Sequence, residues 1–131
     1  MTPLDHRESR ERALGLLYEA ANKHLDPLQV LSEMMIQPDP YCVELVTRAS
    51  SLHEESLARI EGASTNWTLE RMGIIDRLVM ELALAELAGD EAPPRAVVLD
   101  EAVELAKMFS TEDSGSFVNG ILASLTSPDP S

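Results

Sequence analysis

The stretch Ile74–Ala88, IIDRLVMELALAELA, decides the fold class of this chain of 131 residues. Apolar side chains occupy nearly every side of a helix drawn through it. A helix that is apolar on most sides is buried at the centre of a bundle. Its charged residues, and a length below the roughly 20 residues that a bilayer requires, argue against a membrane span. The sequence therefore predicts an all-α fold with 74–88 at its centre.

Amphipathic segments precede this central helix. A first helix is predicted over 6–23, where apolar residues recur at i, i+3, i+4 and i+7. Asp26-Pro27 and Asp39-Pro40 each combine a preferred N-cap residue with proline at the first helical position. We expect a helix to begin at each pair, and the second of these helices to continue to Gly62.

Helical signals also follow the central stretch. Gly89 and Pro93-Pro94 interrupt the chain, and an amphipathic segment then runs from about Leu99 to Lys107. Ser110 and Asp113 have the spacing of a capping box, which predicts the start of a last helix there.

The length predicts a single domain over 1–131. A short linker near 62–66 divides it into an N-terminal helical half over about 6–62 and a C-terminal helical half over about 66–126. The Ser/Pro-rich tail 127–131 is expected to be frayed.

Composition and charge exclude several classes of protein. The net charge is −13, which argues against general binding to nucleic acids or to anionic membranes. The polar segment 1–12 is not a secretory signal, so we expect a cytoplasmic protein without a membrane span. The single cysteine, Cys42, cannot form an internal disulfide and is expected to be a small core residue on a helix.

No arrangement of residues predicts catalysis. The three histidines, His6, His24 and His53, lie on different segments, and the six glycines form no phosphate-binding loop. Carboxylate pairs such as Glu54-Glu55 are typical of a solvated helix face. We therefore expect no enzyme activity, no metal and no cofactor.

Arg7, Arg10 and Arg12 are the one concentration of basic residues in this acidic chain. They could contact phosphates. The alternative is that they are neutralised within their own helix, since Arg7 can pair with Glu11 and Glu8 with Arg12 at i, i+4.

The stretch Asp100–Leu122 reads DEAVELAKMFSTEDSGSFVNGIL. It resembles the C-terminal signature of the NusB family, in which E-A-V-E-L-A-K leads into E-D-S-x-x-F-V-N-G. Asn66–Leu87 resembles the W-x-L-x-R-x-x-x-x-D-R stretch with its following E-L, and Arg10–Tyr18 resembles the opening R-x-x-A-x-x-x-L-Y. The resemblance covers nearly the whole chain; only about 22–64 agrees in helical pattern alone.

The resemblance implies two small helical bundles packed as one domain. It also implies a transcription antitermination factor that binds boxA-type RNA jointly with ribosomal protein NusE, in a complex on RNA polymerase. Carried over by position, the RNA-binding residues are Arg7, Arg10, Asp113 and Phe117. Arginine contributes phosphate contacts and an exposed phenylalanine can stack on a base. The alternatives are core packing for Phe117 and helix capping for Asp113.

Departures from the family pattern weaken the expected RNA affinity. His6 and Glu8 occupy positions where the family usually has arginine, Glu81 also replaces an arginine, and Ala85 stands where an aromatic residue is common. The segment 6–24 contains 4 basic and 3 acidic residues, a local charge of only +1. We therefore expect weak RNA binding by the protein alone.

Two other hypotheses follow. The first is a NusB-like scaffold that binds only proteins, including a second copy of itself as a homodimer. The second is a component of an RNA-modifying enzyme, because similar helical domains occur fused to RNA methyltransferases. No methyl-donor site is recognisable in this chain, so the second would need a separate catalytic partner.

Overall fold

The computed structural model describes residues 6–64 and 72–126. Within these ranges the chain forms seven helices and no strand. They are α1 (His6–Lys23), α2 (Pro27–Ser32), α3 (Pro40–Ser51), α4 (His53–Ala63), α5 (Ile74–Leu87), α6 (Arg95–Phe109) and α7 (Glu112–Leu125). The predicted all-α class is confirmed. The tail 127–131 and most of the segment that joins α4 to α5 lie outside the described residues.

The two Asp-Pro pairs start helices as predicted. The Asp26 carboxylate accepts a hydrogen bond from the backbone N–H of Leu28 at 2.9 Å, and Asp39 accepts one from Cys42 at 3.1 Å. Asp39 also accepts a hydrogen bond of 2.6 Å from the hydroxyl of Ser9. The start of α3 is therefore joined directly to α1.

The helix predicted to run from Pro40 to Gly62 is in fact two helices. Leu52 separates α3 from α4 and has a φ of −96° and a ψ of 6°, outside the helical values. Its N–H still bonds to the carbonyl of Arg48, and its own carbonyl accepts from Ser56. The break needs neither glycine nor proline because the backbone hydrogen bonds continue through it.

Helix α5 is the centre of the fold. Most of its side chains are buried, including Met80 and Leu82, as the apolar sequence predicts. On one side α1, α2 and α3 pack against one another, and α1 and α3 contact α5. On the other side α5 packs against α4, α6 and α7. The two small bundles therefore share α5.

The core is aliphatic. Leucine, valine, isoleucine, alanine and methionine side chains form one continuous buried cluster. Cys42 belongs to it with 0% exposure and is a free thiol on α3, which confirms the predicted structural role. Burial raises the pKa of the Cys42 thiol to about 11, so it stays protonated at neutral pH.

Candidate nucleic-acid interface

Arg7, in the first turn of α1, forms an ion pair with α6. Its Nε lies 3.0 Å from Oε1 of Glu101, and its Nη2 lies 2.7 Å from Oε2. This two-point contact raises the pKa of Arg7 and lowers that of Glu101. The Arg7 side chain is still 46% exposed. Arg7 therefore lies at the surface, with its charge already balanced by a residue 94 positions away.

Arg10 does not lie at the surface. Its side chain is 2% exposed, and its Nη2 lies 2.7 Å from the equally buried carboxylate of Glu86. Its Nη1 lies 3.3 Å from Oε1 of Glu101, the same oxygen that accepts from Nε of Arg7. The prediction that Arg10 contacts RNA does not fit this position, because a phosphate cannot reach a guanidinium enclosed by two carboxylates. We therefore remove Arg10 from the candidate RNA contacts.

Glu86 links α5 to two other helices. Besides Arg10, the hydroxyl of Tyr41 on α3 donates a 2.5 Å hydrogen bond to Glu86. Burial, then this hydrogen bond, raises the pKa of Tyr41. The ring of His6 stacks on Tyr41 with a centroid separation of 3.6 Å. The beginning of α1 is therefore held by a polar cluster, Arg10, Tyr41, Glu86 and Glu101, which we call the buried charge cluster.

Asp113 and Phe117 lie near the start of α7. They line a cavity of about 220 Å³ together with residues that precede or begin α5 and α7, namely Met72, Gly73, Asp76, Thr111 and Ser114. Asp113 is exposed, and Phe117 is half-buried against the core. The core-packing alternative for Phe117 therefore accounts for only part of its side chain.

The residues that cap α7 differ from the predicted pair. Thr111 is the N-cap: its hydroxyl accepts from the N–H of Ser114, and the Ser114 hydroxyl accepts from the N–H of Thr111. Ser114 also donates to Asp76 at 3.1 Å, which fastens α7 to α5. The predicted Ser110–Asp113 capping box is therefore wrong by one position, and Asp113 does not cap the helix.

The structure brings the predicted residues together in two pairs. Arg7 and Arg10 share Glu101, whereas Asp113 and Phe117 share the cavity at α7. Met108, at the end of α6, lines the same cleft as Arg7 and is 57% exposed. Phe109 follows it, is 48% exposed, and ends α6 just before Thr111. Sequence reasoning missed Phe109, although an aromatic residue at the end of an amphipathic helix next to the signature was a usable signal.

Two of the departures from the family pattern lie in the interior. Glu81 is 3% exposed, and its Oε1 lies 2.6 Å from Nδ1 of His53. Arg77, one helical turn earlier, places its Nε 3.2 Å from Oε2 of Glu81. Ala85 is completely buried. Neither Glu81 nor Ala85 therefore changes the charge that this surface presents to a nucleic acid.

The described residues show no metal site and no membrane helix. No group of three or more histidine, cysteine, aspartate or glutamate side chains in 6–64 and 72–126 could hold a metal ion. None of the helices in this part of the chain is both long and apolar enough to span a bilayer.

The matching family model is that of the NusB family, and it covers residues 7–127. The chain belongs to the NusB family. It is 40% identical over 122 residues to the transcription antitermination protein NusB of Acidothermus cellulolyticus, a match that covers 90% of this chain and 84% of that one. It is 39% identical to the NusB of Streptomyces coelicolor, covering 94% and 93% of the two chains.

Solved structures of NusB have the same fold. T. maritima NusB matches with a TM-score of 0.77 and 29% identity, covering 100% of this chain and 94% of that chain. The crystal structure of antitermination factors NusB and NusE in complex with dsRNA matches with a TM-score of 0.78 and 26% identity, covering 95% and 97%. The NusB-like fold expected from the motifs is therefore confirmed.

Proposed function

We propose that the chain is a transcription antitermination factor that binds boxA-type RNA together with the ribosomal protein NusE in an RNA polymerase-associated complex. The proposal is supported by family membership across residues 7–127 and by similarity to a NusB that was crystallised with NusE and dsRNA. The observation that carries it is the position of Phe117 and Asp113 at a surface cavity within the signature stretch.

The proposed RNA contacts are Arg7, Asp113 and Phe117, with Phe109 added. Phe117 and Phe109 present ring surface on which an unpaired base can stack. The exposed carboxylate of Asp113 can accept hydrogen bonds from a base amino group or from a ribose 2′-hydroxyl, but it repels phosphate. Arg7 is the proposed phosphate contact.

The same arrangement supports weak RNA binding by the protein alone. The net charge is −13, Arg10 is enclosed, and Arg7 is paired with Glu101. A partner such as NusE, which is expected to be basic, would supply positive charge that this surface lacks. RNA and NusE would then bind more tightly together than either would alone.

The ion pair between Arg7 and Glu101 favours a second candidate function. If phosphate does not displace Glu101 from Arg7, neither Arg7 nor the enclosed Arg10 contacts RNA. The chain would then be a NusB-like scaffold that binds only proteins. In both cases we propose a non-catalytic cytoplasmic protein, which membership of the NusB family and similarity to transcription antitermination proteins support.

A titration of boxA-type RNA with and without NusE tests the proposal. We expect weak binding alone, clearly tighter binding with NusE, and a log–log salt slope of about −0.7 per phosphate contact on single-stranded RNA. A control RNA of equal length with a scrambled boxA sequence should bind more weakly. Equal affinity for both RNAs, or no binding with NusE present, would favour the scaffold.

A further inference from the structure

Glu101 occupies the edge of Arg7 that matches a phosphate. A guanidinium presents five N–H donors in a planar fork that fits carboxylate and phosphate oxygens equally well. In this structure the fork edge formed by Nε and Nη2 bonds to both oxygens of Glu101, at 3.0 and 2.7 Å. A phosphate that requires the same edge must therefore displace Glu101.

Further carboxylates surround this ion pair. The cleft beside Arg7 is lined by Arg10, Glu11, Glu101 and Glu104, together with apolar residues. Two positive charges therefore face three negative charges in this cleft. Glu101, Glu104 and Glu11 all raise the pKa of Arg7, with Glu101 contributing most. A phosphate that approaches Arg7, the exposed cation of this cleft, consequently meets net negative charge around it.

The two partners differ in how freely they can separate. Arg7 is 46% exposed, whereas the side chain of Glu101 is 11% exposed and also contacts Arg10 at 3.3 Å. Glu101 is therefore fixed by the buried charge cluster, while Arg7 has room to rotate towards solvent. RNA binding can release Arg7 without disturbing the core, but it must overcome the contact with Glu101.

We propose that Glu101 is an internal competitor for RNA phosphate at Arg7 and that this contact limits the RNA affinity of the α1 surface. The inference rests on the proposed function, since it assigns a determinant of affinity to the same surface. By holding Arg7 in place, Glu101 lowers the affinity of any RNA that requires a phosphate contact at Arg7.

The test compares Glu101→Gln with Glu104→Gln in the full-length chain, with boxA-type RNA and NusE. Both variants remove one negative charge from α6, but only the first removes the carboxylate bonded to Arg7. We expect Glu101→Gln to bind RNA about two- to fivefold more tightly, as expected when a partly exposed ion pair no longer competes. Glu104→Gln should increase the logarithm of the RNA affinity by less than half as much as Glu101→Gln does.

Two further variants keep the result interpretable. Glu101→Asp preserves net charge but shortens the side chain, so a gain in this variant would exclude a simple charge effect. In the double variant Arg7→Ala/Glu101→Gln, affinity should exceed that of Arg7→Ala alone by no more than Glu104→Gln exceeds the wild type. Circular dichroism identifies any variant that fails to fold.

The outcomes separate this inference from the proposed function. If the wild type binds RNA, two results would overturn the inference and leave the proposed function intact. One is an equal gain in affinity in Glu101→Gln and Glu104→Gln, and the other is a gain from Glu101→Gln that is undiminished when Arg7 is removed. Absence of RNA binding in the wild type and in every variant would overturn both. Binding that appears only in Glu101→Gln or Glu101→Asp would support the inference directly.

Discussion

The Nε of Arg10 lies 2.8 Å from Oε1 of Glu86, and both side chains are almost completely enclosed by protein. The two residues are 76 positions apart and join α1 to α5. A buried charge of this kind is stable only while its counter-ion is present, because burial has removed the water that would otherwise solvate it. Arg10 is therefore a structural residue, although it belongs to the one arginine-rich segment of the chain.

Replacing Arg10 with alanine should destabilise the fold strongly. It would leave Glu86 buried without its counter-ion, which typically costs about 3–5 kcal/mol. Urea unfolding monitored by circular dichroism measures this loss. Arg12→Ala, on the exposed side of the same helix, is the matched control and should change the free energy of unfolding by less than about 0.5 kcal/mol. Equal effects in the two variants would contradict the structural role of Arg10.

Stability should fall at acid pH through Glu101. Its hydrogen bond with Arg7 lowers its pKa in the folded protein, so the unfolded chain takes up the proton first as pH decreases. The stabilisation is present above the unfolded value, near 4.5, and is lost as pH falls through the lower folded value. Melting temperatures measured between neutral pH and about pH 3 should fall more steeply for the wild type than for Glu101→Gln. If the melting temperatures of the two proteins fall in parallel as pH decreases, the ion pair does not contribute to the pH dependence of stability.

Cys42 should be inert in the folded protein. Burial raises its pKa to about 11, so little thiolate exists at pH 8, and the side chain has no exposure to reagent. Labelling with a thiol-specific chromogenic disulfide should be very slow in buffer and fast in concentrated urea. Rapid labelling without denaturant would show that α3 is not packed as described.

Phe117→Ala should weaken RNA binding by about 1–3 kcal/mol if a base stacks on the ring. Because Phe117 also contacts the core, Phe117→Leu is the necessary control. Leucine retains apolar volume but offers no aromatic face, so it should lose most of the binding while keeping the melting temperature near that of the wild type. RNA affinity that is retained in Phe117→Leu would assign Phe117 to packing alone.

Glu8→Arg should tighten RNA binding. It adds a positive charge next to Arg7 on the exposed start of α1, so the log–log salt slope should steepen by about 0.7. Glu19→Arg makes the same charge change on the same helix, about 16 Å further along its axis. A salt slope that steepens equally in both variants would indicate a general charge effect rather than a phosphate contact at the start of α1.

Local signals in the sequence predicted most helix positions. Asp26-Pro27 and Asp39-Pro40 begin helices because capping depends on residues two or three positions apart. The break at Leu52 was not predictable in the same way, because no residue there prevents continuation of the helix. The capping box of α7 was predicted one position too early, since serine and threonine at 110 and 111 can both act as N-caps.

The candidate site was less predictable because its geometry depends on distant residues. The sequence offered Glu11 as a partner for Arg7, whereas the structure gives that role to Glu101. Arg10 has no local feature that distinguishes a buried arginine from a phosphate-binding one; two carboxylates that bind it lie 76 and 91 positions away. Periodicity predicts which face a residue occupies, but not whether a later helix covers that face.

The burial of Arg10 also affects how other members of the family are compared. An arginine retained at this position, with a glutamate at the position of Glu86, reports that the fold is intact and carries no information about RNA affinity. A family member that no longer binds RNA would keep these two residues and lose Arg7, Phe109 or Phe117 first. Functional divergence within the family is therefore to be sought at those exposed positions, not in the total number of arginines at the start of the chain.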